Sequence, residues 1–562
     1  MKRFHICLLS ATLVWFLLLL LCFPYTINSV EADDLFLWDG EFLKQVLTRC
    51  SGVMYLLEDF ICQFFSVTWL GALITAIIVA LPVEFLYLAL RRLGKESWGY
   101  LAFIPSQFIL FFTFPYLESP LRYMFFVLLI YLYTLFRKDV SRIIYAFLII
   151  LPSFCLLAWY EVCLMYLVFA AFELVVKKSR IGAALMLVFL GISLFVPGIW
   201  SDYVGFIPFK DRPSLNVDNM FPLKLLPFYL LTVALYFVPL KWHLNLKLQW
   251  SLSILSIVVF GVVMRTSETL AFEEKSAKLS SLADAKDWES IISDFPYDEV
   301  IKSRILTSYV LLAMNATGSM ADNLFAYPIN SPEMFLFRHE EKPFYVNFNR
   351  QFYDNIGIWN ECYHMAFEYG VTQRENDCFK AMREKIDYSI KLHDFAAAHF
   401  YLDLLSKSCF NNDFVASRRD AIEAAEKQSA QAPKLPYISD TYVGAYPMAS
   451  EMFRLFERNE KSKKILDYVL CSLLLNKEVE KFAIVLQHYN LYQGDRMPRA
   501  YSEALAACKM KNPGLVNIDY DHDQDKYFAD FLQRANQQQD ISEYATTYWA
   551  YLYYRPVDTA AN

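Results

Sequence analysis

Residues 68–90 read TWLGALITAIIVALPVEFLYLAL, and Arg91 and Arg92 follow directly. The segment contains one charged residue, Glu84, and exceeds the roughly 20 apolar residues that a helix needs to cross a bilayer. It therefore predicts a transmembrane helix with a basic cytoplasmic end. Further apolar segments lie on both sides of it. Together they predict about nine spans, at residues 6–25, 68–90, 100–116, 120–136, 143–158, 161–176, 181–200, 222–240 and 248–265.

Two alternatives remain open for these spans. The third to sixth are short and are separated by brief turns, so they could form tight hairpins that do not all cross the bilayer. The first could instead be a signal peptide, because Lys2 and Arg3 precede an apolar stretch. No small-residue cleavage site follows that stretch, and the sequence therefore favours a retained helix.

Composition divides the chain into two unlike halves. Of the 562 residues, 56% are hydrophobic and 17% are aromatic. Residues 1–265 contain 20 Lys and Arg against 16 Asp and Glu, whereas residues 266–562 contain 32 against 43. We expect a transmembrane domain over residues 1–265, with a long first outer loop at 26–67, and a soluble domain over 266–562. This composition excludes a free soluble enzyme, a secreted disulfide scaffold, a disordered protein and a charge-driven nucleic-acid binder.

The distribution of basic residues predicts the orientation of the chain. With a cytoplasmic N-terminus, the inner loops hold 13 Lys and Arg and the outer loops hold five. This excess supports that orientation. An odd number of spans then places the C-terminal domain outside the cytoplasm. We expect a multi-pass protein of the bacterial inner membrane with a periplasmic C-terminal domain.

The C-terminal half has the periodicity of helices. Apolar residues recur three and four positions apart, and strand-like alternation is rare. Residues 378–392 and 393–405 form a candidate pair of helices, which resembles a tetratricopeptide unit. The predicted fold is therefore all-α, a transmembrane bundle followed by a tetratricopeptide-like solenoid. An unrelated helical bundle is the alternative for the second half.

Familiar catalytic motifs are absent from the sequence. It contains no phosphate-binding loop, no zinc-protease motif and no serine-hydrolase motif. The 11 cysteines show no CxxC spacing, which predicts buried free thiols. No metal site and no cofactor are predicted; a divalent metal ion would be compatible with the chain but nothing indicates one.

The first outer loop is the most informative segment for function. Residues 31–43 read EADDLFLWDGEFL, and the apolar residues form a stripe typical of a helix that lies along a membrane surface. Four carboxylates border this stripe, and two more lie on the outer turns between later spans. They are Asp33, Asp34, Asp39 and Glu41 in the loop, and Glu118 and Glu161 on the turns.

A single span, a long outer loop with an acidic pair, and many short spans resemble the GT-C superfamily of polyprenyl-phosphate-sugar glycosyltransferases. With a tetratricopeptide-like tail, the layout is similar to that of the transmembrane and tetratricopeptide-repeat O-mannosyltransferases. The chain also resembles an uncharacterised family of bacterial polytopic membrane proteins with the same two parts. The likeness is architectural over most of the chain and approaches a motif only at residues 31–65.

The GT-C resemblance implies roles for particular residues. An acidic residue of the first loop would be the general base, here Asp33 or Asp34, with Asp39 and Glu41 as further candidates. The leaving phosphate would need cations, and the carboxylates of the outer turns would line the same site. The implied substrate-binding residues are Arg49, Glu118, Arg122, Glu161, Lys210 and Arg212. The flanking sequence of the superfamily's acidic motif is not reproduced, and the pair could instead solvate the loop or cap a helix.

Two functions follow from this sequence. The first is an integral membrane glycosyltransferase that uses a polyprenyl-phosphate-linked sugar on the outer face, with the acceptor held by the helical domain. Its partners would be membrane lipid, the lipid-linked sugar and a protein acceptor, without nucleic acid. The second is a non-catalytic membrane scaffold that recruits envelope proteins through its C-terminal domain.

Overall fold

The fold is that of a computed structural model, which describes residues 2–48, 51–204, 224–237, 245–337, 343–429, 448–458, 462–489, 492 and 496–555. Throughout these ranges the regular elements are helices and no strand occurs, so the predicted all-α class is confirmed. The chain forms two compact units. One comprises Met1–Lys275 with Leu404–Asp413, and the other comprises Ser276–Asp403 with Phe414–Asn562. The composition boundary at residue 265 lies within the first unit.

The first unit contains thirteen α-helices and the start of a fourteenth among its described residues. They are α1 (Lys2–Cys22), α2 (Pro24–Asp33), α3 (Gly40–Leu47), α4 (Gly52–Cys62), α5 (Thr68–Arg92), α6 (Phe103–Thr113), α7 (Glu118–Leu135), α8 (Asp139–Leu148), α9 (Ile150–Leu156), α10 (Trp159–Ala171), α11 (Arg180–Val204), α12 (Leu226–Phe237), α13 (Leu246–Thr266) and α14 (Glu268–Asp284). Short 3₁₀ segments are Gln63–Ser66 and Glu96–Ala102, and a π-helical segment, Phe172–Lys177, extends α10.

Four of these helices are long and apolar enough to cross a membrane. They are α1, α5, α10 with its π-helical extension, and α13, and the pair α8 and α9, bent by 51°, makes a fifth if it is one span. Each of the nine predicted segments is mostly helical where it is described, with non-helical residues at Phe23, 114–116, Phe136 and 157–158 among others. Helices α6 and α12 have 11 and 12 residues, which gives lengths of about 16–18 Å, well below the bilayer core. Four or five spans are therefore supported by helix length.

Helix α1 is part of the packed core of the first unit. Its buried residues Phe4, Cys7, Ala11, Trp15 and Leu19 recur every three or four positions and pack against α5 and α13. The opposite side is apolar and open, as expected for a surface that faces lipid. The chain thus uses this segment as a structural helix.

A buried ion pair joins α8 to the end of α10. The Arg142 guanidinium, fully buried, donates from Nε to Glu173 Oε1 at 2.5 Å and from Nη2 to Glu173 Oε2 at 3.1 Å. Tyr133 donates to the same carboxylate at 2.7 Å, and the backbone carbonyl of Arg137 accepts from Arg142 Nη1 at 3.0 Å. These bonds satisfy both charges in an apolar surrounding, where an unpaired charge is costly.

The second unit is built from short helices around one hydrophobic core. The helices are α15 (Trp288–Asp294), α16 (Tyr297–Val300), α17 (Arg304–Thr317), α18 (Met320–Asn323), α19 (Pro343–Ile356), α20 (Trp359–Val371), α21 (Phe379–Lys391), α22 (Phe395–Leu405), α23 (Asn412–Ser429), α24 (Met448–Arg458), α25 (Lys463–Leu475), α26 (Val479–Tyr489), α27 (Arg499–Lys511), α28 (Asp523–Asn536) and α29 (Tyr548–Tyr554). Its 3₁₀ segments are Leu324–Ala326, Pro332–Phe335, Pro513–Leu515 and Ser542–Tyr544.

Two runs of this unit pack in chain order, α19 to α21 and α24 to α28, as tetratricopeptide repeats do. Helices α17 and α18 depart from that pattern, because they pack on α25 and α27, more than 140 residues later in the chain. A linear array brings each repeat against its neighbours only. The all-helical character is therefore established, whereas the solenoid remains a prediction.

The side of the membrane that carries the second unit can be tested. We expect a reporter enzyme that is active only outside the cytoplasm to be active when fused to the C-terminus. The basic loops indicate a cytoplasmic N-terminus, and an odd number of spans, such as the nine predicted, would place the C-terminus on the opposite side. A reporter that is active only in the cytoplasm is the matched control and should stay inactive. Activity of that control instead would indicate an even number, such as α1, α5, α10 and α13 alone.

The buried ion pair should be important for the stability of the first unit. Arg142→Ala leaves Glu173 buried without its cation, so we expect a loss of about 3–5 kcal/mol and an apparent melting temperature roughly 5–10 °C lower in detergent. Arg137→Ala, which removes an exposed cation one turn earlier, is the control and should change little. Equal melting temperatures for the two variants would contradict a stabilising role for the pair.

Candidate functional site

The acidic pair Asp33 and Asp34 lies at the end of α2, and Glu274 of α14 caps the beginning of that helix. Phe23 separates α1 from α2, and Pro24 occupies the first helical position, where its missing N–H has no consequence. Glu274 accepts hydrogen bonds from the backbone N–H of Tyr25 at 3.0 Å and of Thr26 at 2.8 Å, and from the Thr26 hydroxyl at 2.7 Å. Its negative charge also complements the positive end of the helix dipole.

The two carboxylates of the acidic pair lie at the far end of α2. Asp33 is its last residue, and Asp34, with extended backbone, follows it. A helix of 10 residues rises about 15 Å. Because Glu274 fixes the start of the helix, it also fixes where Asp33 and Asp34 lie.

These two side chains belong to a larger group, which we name the outer carboxylate cluster: Asp33, Asp34, Glu58, Asp59 and Glu273. Desolvation of its hydroxyl raises the pKa of Tyr116, although the residue as a whole is 67% exposed. Four nearby carboxylates raise that pKa further: Asp33, Glu273, Asp34 and Glu58. Burial has the largest effect in raising the pKa of the Cys62 thiol, and the charges of Asp34, Glu58 and Asp59 raise it further. Five carboxylates of α2, α4 and α14 therefore lie close to these two residues.

Helix α4 contributes the buried members of the cluster. Glu58 and Asp59 are 2% and 0% exposed, and Glu58 Oε1 accepts the backbone N–H of Leu117 at 3.0 Å. This bond connects α4 to the turn before α7. The Cys62 thiol, one helical turn after Glu58, lies close enough to Asp34 for the charge of Asp34 to raise its pKa. Glu58 is thus held by neighbouring backbone, and the cluster lies beside a buried thiol.

The predicted cation Arg122 lies in a separate group on α7. Its Nη2 lies 2.5 Å from Glu118 Oε1 and donates to the Tyr55 hydroxyl at 3.0 Å, and the guanidinium carbon lies 5.5 Å from the centre of the Tyr55 ring. Its Nε is buried and makes no hydrogen bond. The guanidinium retains one unused donor, but its charge is already paired with Glu118.

Glu161 has a structural role at the beginning of α10. Oε2 accepts the backbone N–H of Ala158 at 2.9 Å and caps the helix, while Oε1 accepts from the Tyr229 hydroxyl of α12 at 2.5 Å. The side chain is buried. Glu118, Glu161 and Arg122 therefore already form hydrogen bonds or ion pairs within the protein. A substrate would have to bind them while these contacts are in place.

Asp39 and Glu41 stand at the beginning of α3. The Asp39 carboxylate accepts from the backbone N–H of Glu41 at 3.1 Å and of Phe42 at 3.3 Å, and it pairs with Lys407 at 2.6 Å. The hydrogen bond from Lys407 is the main reason that the pKa of Asp39 is lowered. Asp39 therefore acts as a helix cap, and Glu41 is an exposed residue of the first turn.

Three of the predicted substrate-binding residues, Arg49, Lys210 and Arg212, lie outside the described residues. In the part of the chain that the structure describes, no group of three His, Cys, Asp or Glu side chains is arranged to hold a metal ion.

Sequence reasoning did not single out Glu58, Asp59, Glu273 or Glu274. A signal for the first two exists, because Met54, Glu58 and Cys62 are spaced four apart and share one buried face of α4. Acidic residues on an otherwise apolar helix face indicate a buried polar site. Glu273 and Glu274 carry no such signal, since α14 follows the last predicted span and its position against α2 comes from tertiary packing.

The fold and this site define a class: an all-helical protein with helices able to span a membrane and a carboxylate cluster beside the first of them. The chain belongs to a family of unknown function (DUF6057), whose profile matches residues 1–555. The predicted membership of an uncharacterised family is confirmed, whereas the likeness to glycosyltransferases stays a prediction. Neither the curated proteins nor the solved structures yielded a match.

The cap on α2 can be tested directly. Glu274→Ala removes the acceptor for two backbone amides, so we expect helix α2 to lose about 1–2 kcal/mol locally. The amides of Tyr25 and Thr26 should then exchange with solvent about 5–30 times faster. Glu268→Ala, on an exposed position of the same helix α14, is the matched control. Unchanged exchange in Glu274→Ala would show that the capping bonds do not hold α2.

Proposed function

We propose that this protein is a GT-C-like glycosyltransferase of the bacterial inner membrane. It transfers a sugar from a polyprenyl-phosphate carrier to an acceptor on the outer face, while the C-terminal unit, as a tetratricopeptide-like domain, holds the acceptor in the periplasm. The proposed topology has a cytoplasmic N-terminus and about nine spans, in which the shorter apolar helices α6, α7, α11 and α12 also cross the membrane. No cofactor is required.

The outer carboxylate cluster is the observation that carries this proposal. Transfer to an acceptor hydroxyl requires a base that removes the hydroxyl proton as the new bond forms. Asp33 and Asp34 lie at the end of the helix that extends the first span, and Glu58, Asp59 and Glu273 act with them on Tyr116 or Cys62. Several carboxylates near one place offer more than one group that could take the proton of an acceptor hydroxyl.

In the proposed reaction the acceptor oxygen attacks the anomeric carbon of the lipid-linked sugar. The bond between that carbon and the phosphate oxygen breaks, the lipid phosphate leaves with the electron pair, and a carboxylate of the cluster takes the proton. We assign the base to Asp34, because it directly follows α2 and its charge acts more strongly on the buried Cys62 thiol than the charges of Glu58 and Asp59 do. The free Nε donor of Arg122 would stabilise the phosphate if Glu118 gives up part of its contact.

A transfer assay with the purified full-length protein tests this function. The donor is a mixture of radiolabelled sugars on polyprenyl phosphate, and the acceptor is envelope protein extract. We expect Asp34→Asn to lower transfer by about 10²–10⁴-fold and Asp33→Asn to lower it less. Asp298→Asn, a substitution at an exposed position of α16, is the control and should retain transfer. Melting temperatures of all variants establish that they are folded.

A second function is favoured by a different observation. The charge of Arg122 is already neutralised by Glu118 at 2.5 Å, and Asp39 is used as a cap, so part of the predicted site serves structure. This is what a membrane scaffold that recruits envelope proteins would show. Absence of transfer in the folded wild-type protein, together with specific crosslinking of envelope proteins to the C-terminal unit, would establish the scaffold and reject the enzyme.

A further inference from the structure

Three helices of the second unit meet at one buried guanidinium. Arg350 of α19 is hydrogen-bonded to Asp284 at the end of α14, and its Nε lies 2.9 Å from Glu384 Oε1 of α21. Its Nη1 donates to the Tyr388 hydroxyl at 3.0 Å. The Arg350 side chain is only 7% exposed. One cation therefore holds two carboxylates from two different helices.

The two carboxylates are not equally satisfied. Asp284 also receives Lys380 Nζ at 2.9 Å and Gln351 Nε2 at 2.7 Å. Glu384 Oε1 faces Arg350, whereas Glu384 Oε2 is buried and has no hydrogen-bond partner. An unsatisfied buried carboxylate oxygen is costly when ionised and much less costly when it carries a proton.

The electrostatic surroundings agree with this asymmetry. Burial raises the pKa of Glu384 to about 7, against the partly opposing effect of Arg350 and Lys380. Burial also acts on Asp284, but Arg350 and Lys380 outweigh it and hold the pKa of that carboxyl well below its usual range. Near neutral pH, Asp284 thus stays ionised while Glu384 changes its charge.

The groups that face Glu384 come from each neighbouring helix. Helix α19 contributes Arg350, and α14 contributes Asp284. From α20, Cys362 lies beside Tyr388, and burial raises the pKa of its thiol, which stays neutral. On α21 itself the neighbours are Lys380, Asp387 and Tyr388, and Asp387 is paired with Arg418 of α23 at 2.5 Å.

We propose that Glu384 is a proton-operated latch that holds α21 against α19 and α14 when protonated and releases it when ionised. Ionisation places a negative charge on a carboxylate whose buried Oε2 has no hydrogen-bond donor. Opening of α21 lets water solvate that oxygen. This inference concerns the second unit alone and does not depend on the proposed enzymatic function.

The direction of the pH dependence follows from linkage. The closed form binds the Glu384 proton up to about pH 7, whereas a solvated glutamate loses it near its ordinary pKa of 4.5. Acid therefore favours the closed form. The ratio of closed to open α21 falls about tenfold for each pH unit between these two values and levels off above pH 7.

Hydrogen exchange of the full-length protein in detergent, read over peptides of Phe379–Lys391 and corrected for intrinsic rates, tests the latch. Between pH 5.5 and 7.5 we expect protection of α21 to fall about 20-fold. In Glu384→Gln, which mimics the protonated form, protection should stay high at both pH values. Glu368→Gln, which changes an exposed carboxylate on the neighbouring helix α20, should keep the wild-type pH dependence.

Peptides of α26, on which Glu480, Lys481 and His488 are exposed, report whether each variant retains its fold and should show no such change. Equal protection of wild-type α21 at the two pH values would overturn the latch, whether or not the variants fold. A fall of the same size in folded Glu384→Gln would also overturn it, because the titrating group would then lie elsewhere.

Discussion

The cost of an unpaired charge in an apolar surrounding is the constraint on which this structure depends. In the first unit Arg142 and Glu173 are both buried and meet through two hydrogen bonds. Arg122 is matched with Glu118, and Glu161 with a tyrosine and a backbone amide. The Arg142–Glu173 and Glu161–Tyr229 contacts join helices, and Arg122, paired with Glu118 within α7, also contacts Tyr55 of α4. The positions of the charged residues therefore help to specify which helices become neighbours. Apolar side chains alone specify this weakly, because they contact lipid as favourably as they contact one another.

The outer carboxylate cluster differs from those pairs because it gathers charges of one sign. Glu274 accepts the first backbone amides of α2 and so fixes where that helix begins. Asp33 and Asp34 at its far end therefore lie near Glu58, Asp59 and Glu273. Acidic residues gathered beside a buried thiol at the end of a helix are the kind of group in which functional sites are commonly found. The proposed function is placed there for this reason.

The second unit obeys the same constraint with a different result. Asp284 receives both Arg350 and Lys380, whereas Glu384 has only Arg350 at Oε1 and no hydrogen-bond partner at its buried Oε2. The hydrogen bonds of the network are therefore satisfied best when Glu384 carries a proton. The network occurs where α14, α19 and α21 meet, and a large hydrophobic core extends through the unit from Leu279 to Tyr551. A titratable contact at one such junction can open locally without unfolding of the unit.

The sequence by itself determined the helical class, the apolar segments and the contrast between the two halves, because hydrophobic periodicity and charge are local properties of the chain. Thr68–Arg92 could be recognised as a span from its composition, and the acidic pair Asp33 and Asp34 from its place after the first span. Local pattern did not show that α17 and α18 pack on α25 and α27, nor that Glu273 and Glu274 lie near residues about 250 positions earlier. Tertiary structure alone decided those neighbours, because contacts between distant segments depend on how complete helices pack. It also separated the predicted site residues: Asp39 became a cap and Arg122 an ion-pair partner, since the same carboxylates and cations that suit a reaction also satisfy buried charge.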